Sequence, residues 1–345
     1  MVAALAVELQ LRKEELKGET IETIYFGGGT PSVLTNAEIQ FLLDAVYQSY
    51  SVIPTPEITL EANPDDLSAE RIIELANSPV NRLSIGIQSF FEEDLKMMNR
   101  AHNAEEAEAC LTEAIKHFDN ISIDLIYGMP GMSNERWLQN VDRALRFDVP
   151  HISSYALTVE TKTALHKLVK SGAIAAPSDD VAQEHFHLLV DKLEASGFVH
   201  YELSNFGMEG YFSKNNTAYW LGKKYLGIGP SAHSYNGISR SWNNNNIIYL
   251  KSIREGRLPS ETEELTITDR YNEYIMTGLR TIWGVSLKRV ESEFGKQYSD
   301  YLQRESAKYI QRRLLKIHDG VLKTTHAGKF LTDGIASDLF FINLE

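Results

Sequence analysis

The chain has 345 residues, 43% of them apolar and 23% charged, which is the balance of a globular protein with room for two domains, or for one large domain with an appendage. Its 34 lysines and arginines against 47 aspartates and glutamates leave a net charge of −13, so nucleic acid and anionic membrane surfaces are poor partners. One cysteine excludes an internal disulfide framework and a cysteine-only metal site. No apolar run is long enough for a membrane span and the first residues lack a basic leader, so the expected compartment is cytoplasmic.

In chain order, Val2 to Leu16 has helical apolar spacing and leads to a β-like run, Ile21 to Phe26. Similar runs follow at Glu57–Leu60, Arg82–Ile87, Ile121–Ile126 and His151–Leu157, separated by helical patterns near Asn36–Tyr50, Ser68–Asn77, Ala104–His117 and Asn134–Phe147. A strand about every thirty residues with a helix between is the βα repeat of a parallel sheet. An open, partial barrel is the expected α/β architecture, with a flat doubly wound sheet as the alternative. Small residues around Ser171–Asp180 precede a helix from Val181 to Ser196, then strand-like or irregular segments at Phe198–Phe206 and Tyr225–Tyr235. From Leu265 the pattern is helical at Asp269–Trp283, Ser286–Phe294 and Ser299–Leu315, ending in a hairpin on Asp319-Gly320 that suggests a compact winged-helix-like module. This module carries Lys308, Arg312, Arg313 and Lys316; in so acidic a chain, a structural lid is the better reading than duplex binding. The linear division is 1–210 for the barrel, 211–264 for a connecting segment rich in glycine and aromatics, and 265–345 for the C-terminal domain.

Polar residues and glycines collect where the β runs end: Gly27-Gly-Gly-Thr-Pro31, Glu61-Ala-Asn-Pro64, Gly86-Ile-Gln88-Ser89, Asp124, and Ser153-Ser-Tyr155. In a parallel α/β fold these ends converge on the ligand-binding face. The glycines let backbone approach a ligand, the carboxylates accept from amines or sugar hydroxyls, Gln88 both donates and accepts, and Arg100 can clamp a carboxylate. Cys110 lies in a helical stretch as a small packed residue, and Glu184-His185-Phe186-His187 reads as the surface of a helix.

Gly27–Pro31, Leu60–Pro64, Arg82–Ser89, Asn99-Arg100, Asp124–Pro130 and Leu226-Gly-Ile-Gly-Pro-Ser-Ala-His-Ser234, in this order, resemble the oxygen-independent coproporphyrinogen III oxidase-like branch of the radical SAM superfamily, with the length of its shorter haem-chaperone members. The resemblance covers nearly the whole chain. It implies a partial (βα)6 barrel of the TIM-like type with a helical C-terminal domain, a four-iron (4Fe-4S) cluster in the full-length form, and S-adenosylmethionine held by Gly28, Gly29, Thr30, Glu61, Gln88, Arg100 and Asp124. Ala156 and His233 match positions near the adenine or a second cofactor molecule. A tetrapyrrole, haem or porphyrinogen, is the implied partner.

Two departures qualify this. The family's CxxxCxxC motif follows the first barrel strand, upstream of the helix that here begins near Met1. With Cys110 alone, this sequence is expected to lack radical chemistry. Loss of the first strand would expose a sheet edge, which favours a segment lying outside this sequence over natural loss; a cluster-less nucleoside-binding barrel is the other reading. In the haem-linked HNxxYW pattern, Asn216, Tyr219 and Trp220 match, but Asn215 replaces the histidine, and an amide is a poor iron ligand. Tyr219 and Trp220 can stack on a macrocycle or plug the barrel mouth, Lys214, Lys223 or Lys224 can meet propionates, and His233 is the leading alternative histidine. The expected function is haem binding and trafficking, with oxidative decarboxylation of porphyrinogen propionates as the alternative.

Overall fold

The computed structural model of the protein describes residues 1–161 and 163–342. A seven-stranded sheet is built from β1 (Thr20–Phe26), β2 (Ser51–Ala62), β3 (Arg82–Gln88), β4 (Ile121–Tyr127), β5 (His151–Ala156), β6 (Val199–Glu202) and β7 (Asn205–Gly207), in the order β1-β2-β3-β4-β5-β7-β6. Strands β2 through β5 are parallel. Spatial order follows chain order from β1 to β5, so the sheet winds in one direction. A doubly wound sheet needs a reversal of strand order, and none occurs. The fold is thus an α/β partial barrel. Strands β6 and β7 form an antiparallel hairpin that adds to β5, a feature the βα repeat did not announce.

The central strands are apolar on one face, with Leu83, Ile85, Ile87, Ile121, Ile123 and Leu125 all buried, while Arg82, Ser84, Gly86, Ser122 and Asp124 alternate onto the other. Crossover helices start where a side chain can take an orphan backbone N–H. Ser68 caps Ala69–Ala76, Ser133 caps Asn134–Arg146, and Asn103 forms a reciprocal capping box with Glu106 at Ala104–Ala114.

Several boundaries differ from expectation. The first helix ends at Leu11 rather than Leu16, and turns carry the chain on to β1. Strand β2 begins at Ser51, well before Glu57. Its Pro54 and Pro56 precede the first residue paired with β3, Thr59 opposite Arg82, so their missing N–H groups cost that ladder nothing. Tyr225–Tyr235 is mostly irregular, with a single bridge between its two ends and β8 confined to His233–Tyr235.

Two compact units partition the chain. One comprises Thr23–Asn36 and Glu57–Ser213; the other comprises Met1–Glu22, Ala37–Pro56 and Lys214–Glu345. Within the second, β8, β9 (Ser239–Asn243) and β10 (Ser260–Glu264) form an antiparallel sheet. A second small sheet joins β11 (Val285–Ser286), β13 (Val321–Thr324) and β12 (Leu315–His318), with β13 central. Helices Ile267–Leu279, Leu287–Phe294 and Lys296–Gln311 pack with it around Tyr271, Ile275, Val290, Leu302 and Leu322, a winged-helix-like arrangement. Asp319 and Gly320, both at positive φ, make the tight turn of its hairpin. Among the described residues, no helix is long and apolar enough to cross a membrane.

Candidate functional site

At the carboxyl ends of β1 to β4 the first unit opens into a cavity of about 370 Å³, part of it continuous with solvent, lined by Gly29, Thr30, Glu61, Asn63, Ser84, Gly86, Gln88 and Asp124 among others. Register explains the convergence. Glu61 pairs with Ser84 across β2 and β3, so both side chains project on the same side. Beyond Ile85 the β3–β4 register shifts, and Gln88 adopts a left-handed backbone (φ 67°). That conformation is costly for a residue other than glycine, asparagine or aspartate. It brings the Gln88 amide over Gly86, where a Cβ would lie 2.7 Å from Nε2.

Both oxygens of Glu61 are held. The Tyr25 hydroxyl donates to Oε1 at 2.7 Å and the Gly28 N–H donates to Oε2 at 3.0 Å. Burial raises the Tyr25 phenol pKa, and the Glu61 carboxylate raises it further. Burial likewise pushes the Asp124 carboxyl up to about 7, with Glu61 adding like-charge repulsion, while a Ser153 hydrogen bond and the charges of Arg82 and Arg100 oppose the shift. The cavity therefore presents acceptors of differing charge, an amide, and small residues that let backbone approach. Such a set suits a ligand carrying hydrogen-bond donors such as an ammonium group or hydroxyls.

Of the sequence-predicted residues, Gly29, Thr30, Glu61, Gln88 and Asp124 meet at this cavity. Gly28 contributes through its N–H to Glu61. Arg100 is exposed, with its backbone N–H bonded to the Leu95 carbonyl. Ala156 is exposed at the end of β5. His233, Asn215, Tyr219 and Trp220 belong to the other unit. There, His233 is exposed on β8 with its ring 6.4 Å from Trp242. Helix Lys214–Trp220 carries Tyr219, which is hydrogen-bonded to Asn215 and edge-on to Tyr225 at 4.5 Å, and Trp220, which lies under the Arg280 guanidinium at 5.1 Å. Tyr219 remains 43% exposed, so one side of this aromatic step is open to a ligand.

Sequence reading singled out neither Tyr25 nor Ser84, and named Asn63 only within the Glu61–Pro64 strand end. Tyr25 stands one residue before the end of β1, next to the glycine run, and that position is the one signal that could have found the tyrosine. The reading of His185 as helix surface is wrong. It is fully buried, its Nδ1 accepts the Gly128 N–H at 3.1 Å and its carbonyl accepts from the Trp137 indole at 2.9 Å, because Gly128 at φ 72° turns its amide onto the helix.

The donor set of this chain does not fit an iron–sulfur cluster. Cys110 is buried and burial pushes its thiol up to about 12, away from the thiolate a cluster needs. Among the described residues, no three histidine, cysteine or acidic side chains are grouped to hold a metal ion.

Residues 6–144 match the Radical SAM superfamily and residues 265–331 the HemN C-terminal domain. Over 340 residues the chain is 35% identical to "Heme chaperone HemW" of Mycobacterium tuberculosis, covering 97% of this chain and 85% of that protein. The chain belongs to the HemW family. Its similarity to the HemW of Bacillus subtilis is 33% over 315 residues, covering 90% of this chain and 83% of the relative. In fold, this HemW-family chain superposes on coproporphyrinogen III oxidase (HemN) of Escherichia coli, a radical SAM enzyme, with a TM-score of 0.82 over 98% of this chain and 82% of the other. Their sequence identity of 22% makes that a likeness of fold alone.

Proposed function

We propose that this HemW-family chain binds haem and passes it on within tetrapyrrole metabolism, and that its strand-end cavity takes S-adenosylmethionine. The observation that carries the haem reading is the similarity to Heme chaperone HemW along 97% of the chain. The half-exposed Tyr219 beside Trp220 supports it, since a macrocycle face stacks on such a step. Asn215 supplies no imidazole, and exposed His233 is the alternative axial ligand.

For S-adenosylmethionine, Glu61 and Asp124 would accept from the ammonium and ribose hydroxyls, Gln88 would pair with a polar edge, and Gly29 and Thr30 would supply backbone and hydroxyl contacts. When bound, the nucleoside supplies a sulfonium centre and an adenosyl group. The protein's own residues bind and orient it.

Titration of the protein with haem, followed in the Soret region, tests the main reading. A shifted, saturable band is expected, weakened by Trp220→Ala and strengthened by Asn215→His if that position is axial. A haem spectrum unchanged by the wild-type protein would end the proposal.

A further inference from the structure

We propose that Tyr25 is a positioning residue for the strand-end cavity: its hydroxyl fixes the Glu61 carboxylate in the one orientation that presents its remaining lone pairs to a ligand. This rests on the nucleoside reading of the cavity and deepens it.

Glu61 is a three-torsion side chain beside an opening to solvent, and left alone it would sample several rotamers. Two donors from the same short segment remove that freedom, Tyr25 Oη on Oε1 at 2.7 Å and Gly28 N–H on Oε2 at 3.0 Å. Each oxygen keeps an acceptor position. The order is therefore in place before a ligand arrives, which lowers the entropy cost of binding. Gly27 makes this possible. A Cβ there would fall 2.5 Å from the Tyr25 ring and 2.9 Å from Glu61 Oε1, so the ring reaches the carboxylate only by crossing a bare backbone. The glycine run thus does two things: Gly27 admits the tyrosine, and Gly28 at φ 72° turns its N–H toward the acid.

The test is a double-mutant cycle read by calorimetric titration of the whole chain with S-adenosylmethionine, using wild type, Tyr25→Phe, Glu61→Ala and the double variant. Tyr25→Phe is expected to weaken binding about tenfold. Glu61→Ala should weaken it at least as much, and the double variant should be no weaker than Glu61→Ala within about twofold, because a tyrosine that acts through Glu61 has nothing left to position. A merely structural tyrosine would instead add its full effect in the double variant, and that additivity, or wild-type affinity in Tyr25→Phe, overturns the inference while leaving the nucleoside reading intact. Wild-type protein that binds no S-adenosylmethionine overturns both. Should Tyr25→Phe fold poorly, Gly27→Ala displaces the same pair without deleting either member and is expected to show the same weakening; unchanged affinity there also refutes the positioning role.

Discussion

The Tyr249 hydroxyl donates to Glu8 Oε2 at 2.7 Å, joining helix Asn246–Arg254 to helix Val2–Leu11 through a carboxylate with no solvent exposure. The Gly229 N–H reaches Oε2 at 2.8 Å, and Oε1 accepts from Asn243 Nδ2 at 2.7 Å and from Arg12 at 3.2 Å. Arg12 also donates to the Gly227 carbonyl at 2.9 Å. One buried ion pair thus ties the glycine-rich segment after Tyr225 to the start of the chain.

Glu8→Ala is expected to cost about 2–4 kcal/mol, because it removes the acceptor of the buried Tyr249, Asn243 and Gly229 donors at once, while Arg12 keeps its two-point pair with Glu15. Urea unfolding of the variant beside wild type measures this; a loss below about 1 kcal/mol would mean that the network is dispensable.

Gly227→Ala should be as damaging for a steric reason. A Cβ at this position would sit 2.1 Å from the His233 carbonyl oxygen, which is backbone and has no rotamer to yield. Loss of more than about 3 kcal/mol, or failure to accumulate folded protein, is expected. Circular dichroism melting is the check, with exposed Gly210→Ala as the milder comparison.

Asp124 predicts a pH dependence of definite sign. Its carboxyl is pushed up to about 7 in the folded protein against an ordinary value of 3.8, so the folded state holds the proton more tightly than the unfolded chain. Stability from this group is full below about pH 4, declines as pH rises to about 7, and is level above. Asp124→Asn cannot titrate. Relative to wild type it should gain roughly 2–4 kcal/mol between pH 4 and pH 8. Parallel stability curves for the two proteins would contradict the shift.

His151 titrates in the opposite sense. Burial and nearby Arg82 hold its pKa well below the usual imidazole range, and the neutral ring bridges Ser122 Oγ at 2.6 Å and Tyr201 Oη at 2.7 Å. The stability it contributes is present above about pH 6.5 and is lost on acidification below that value. The gap between wild type and His151→Gln should therefore narrow by roughly 1–2 kcal/mol from pH 7 to pH 5.5. A constant gap across that range, read from denaturant unfolding at each pH, would show that the ring's protonation is not linked to folding.

Periodicity alone made the parallel βα order legible, and the polar residues at Thr30, Glu61, Gln88 and Asp124 marked the carboxyl ends of its strands. Those are local properties: apolar spacing reports which face of an element is covered, and glycine or an acid at a strand's end reports where the cover stops. Tertiary structure alone decided which of these groups meet. The β3 bulge and the left-handed backbone at Gln88 turned that side chain into the cavity, Gly27 let Tyr25 reach Glu61, Gly128 drew His185 inward, and Glu8 found its donors more than two hundred residues away. Hydrogen-bond partners depend on register and on positive-φ turns between distant segments, and neither is written in the spacing of any one element.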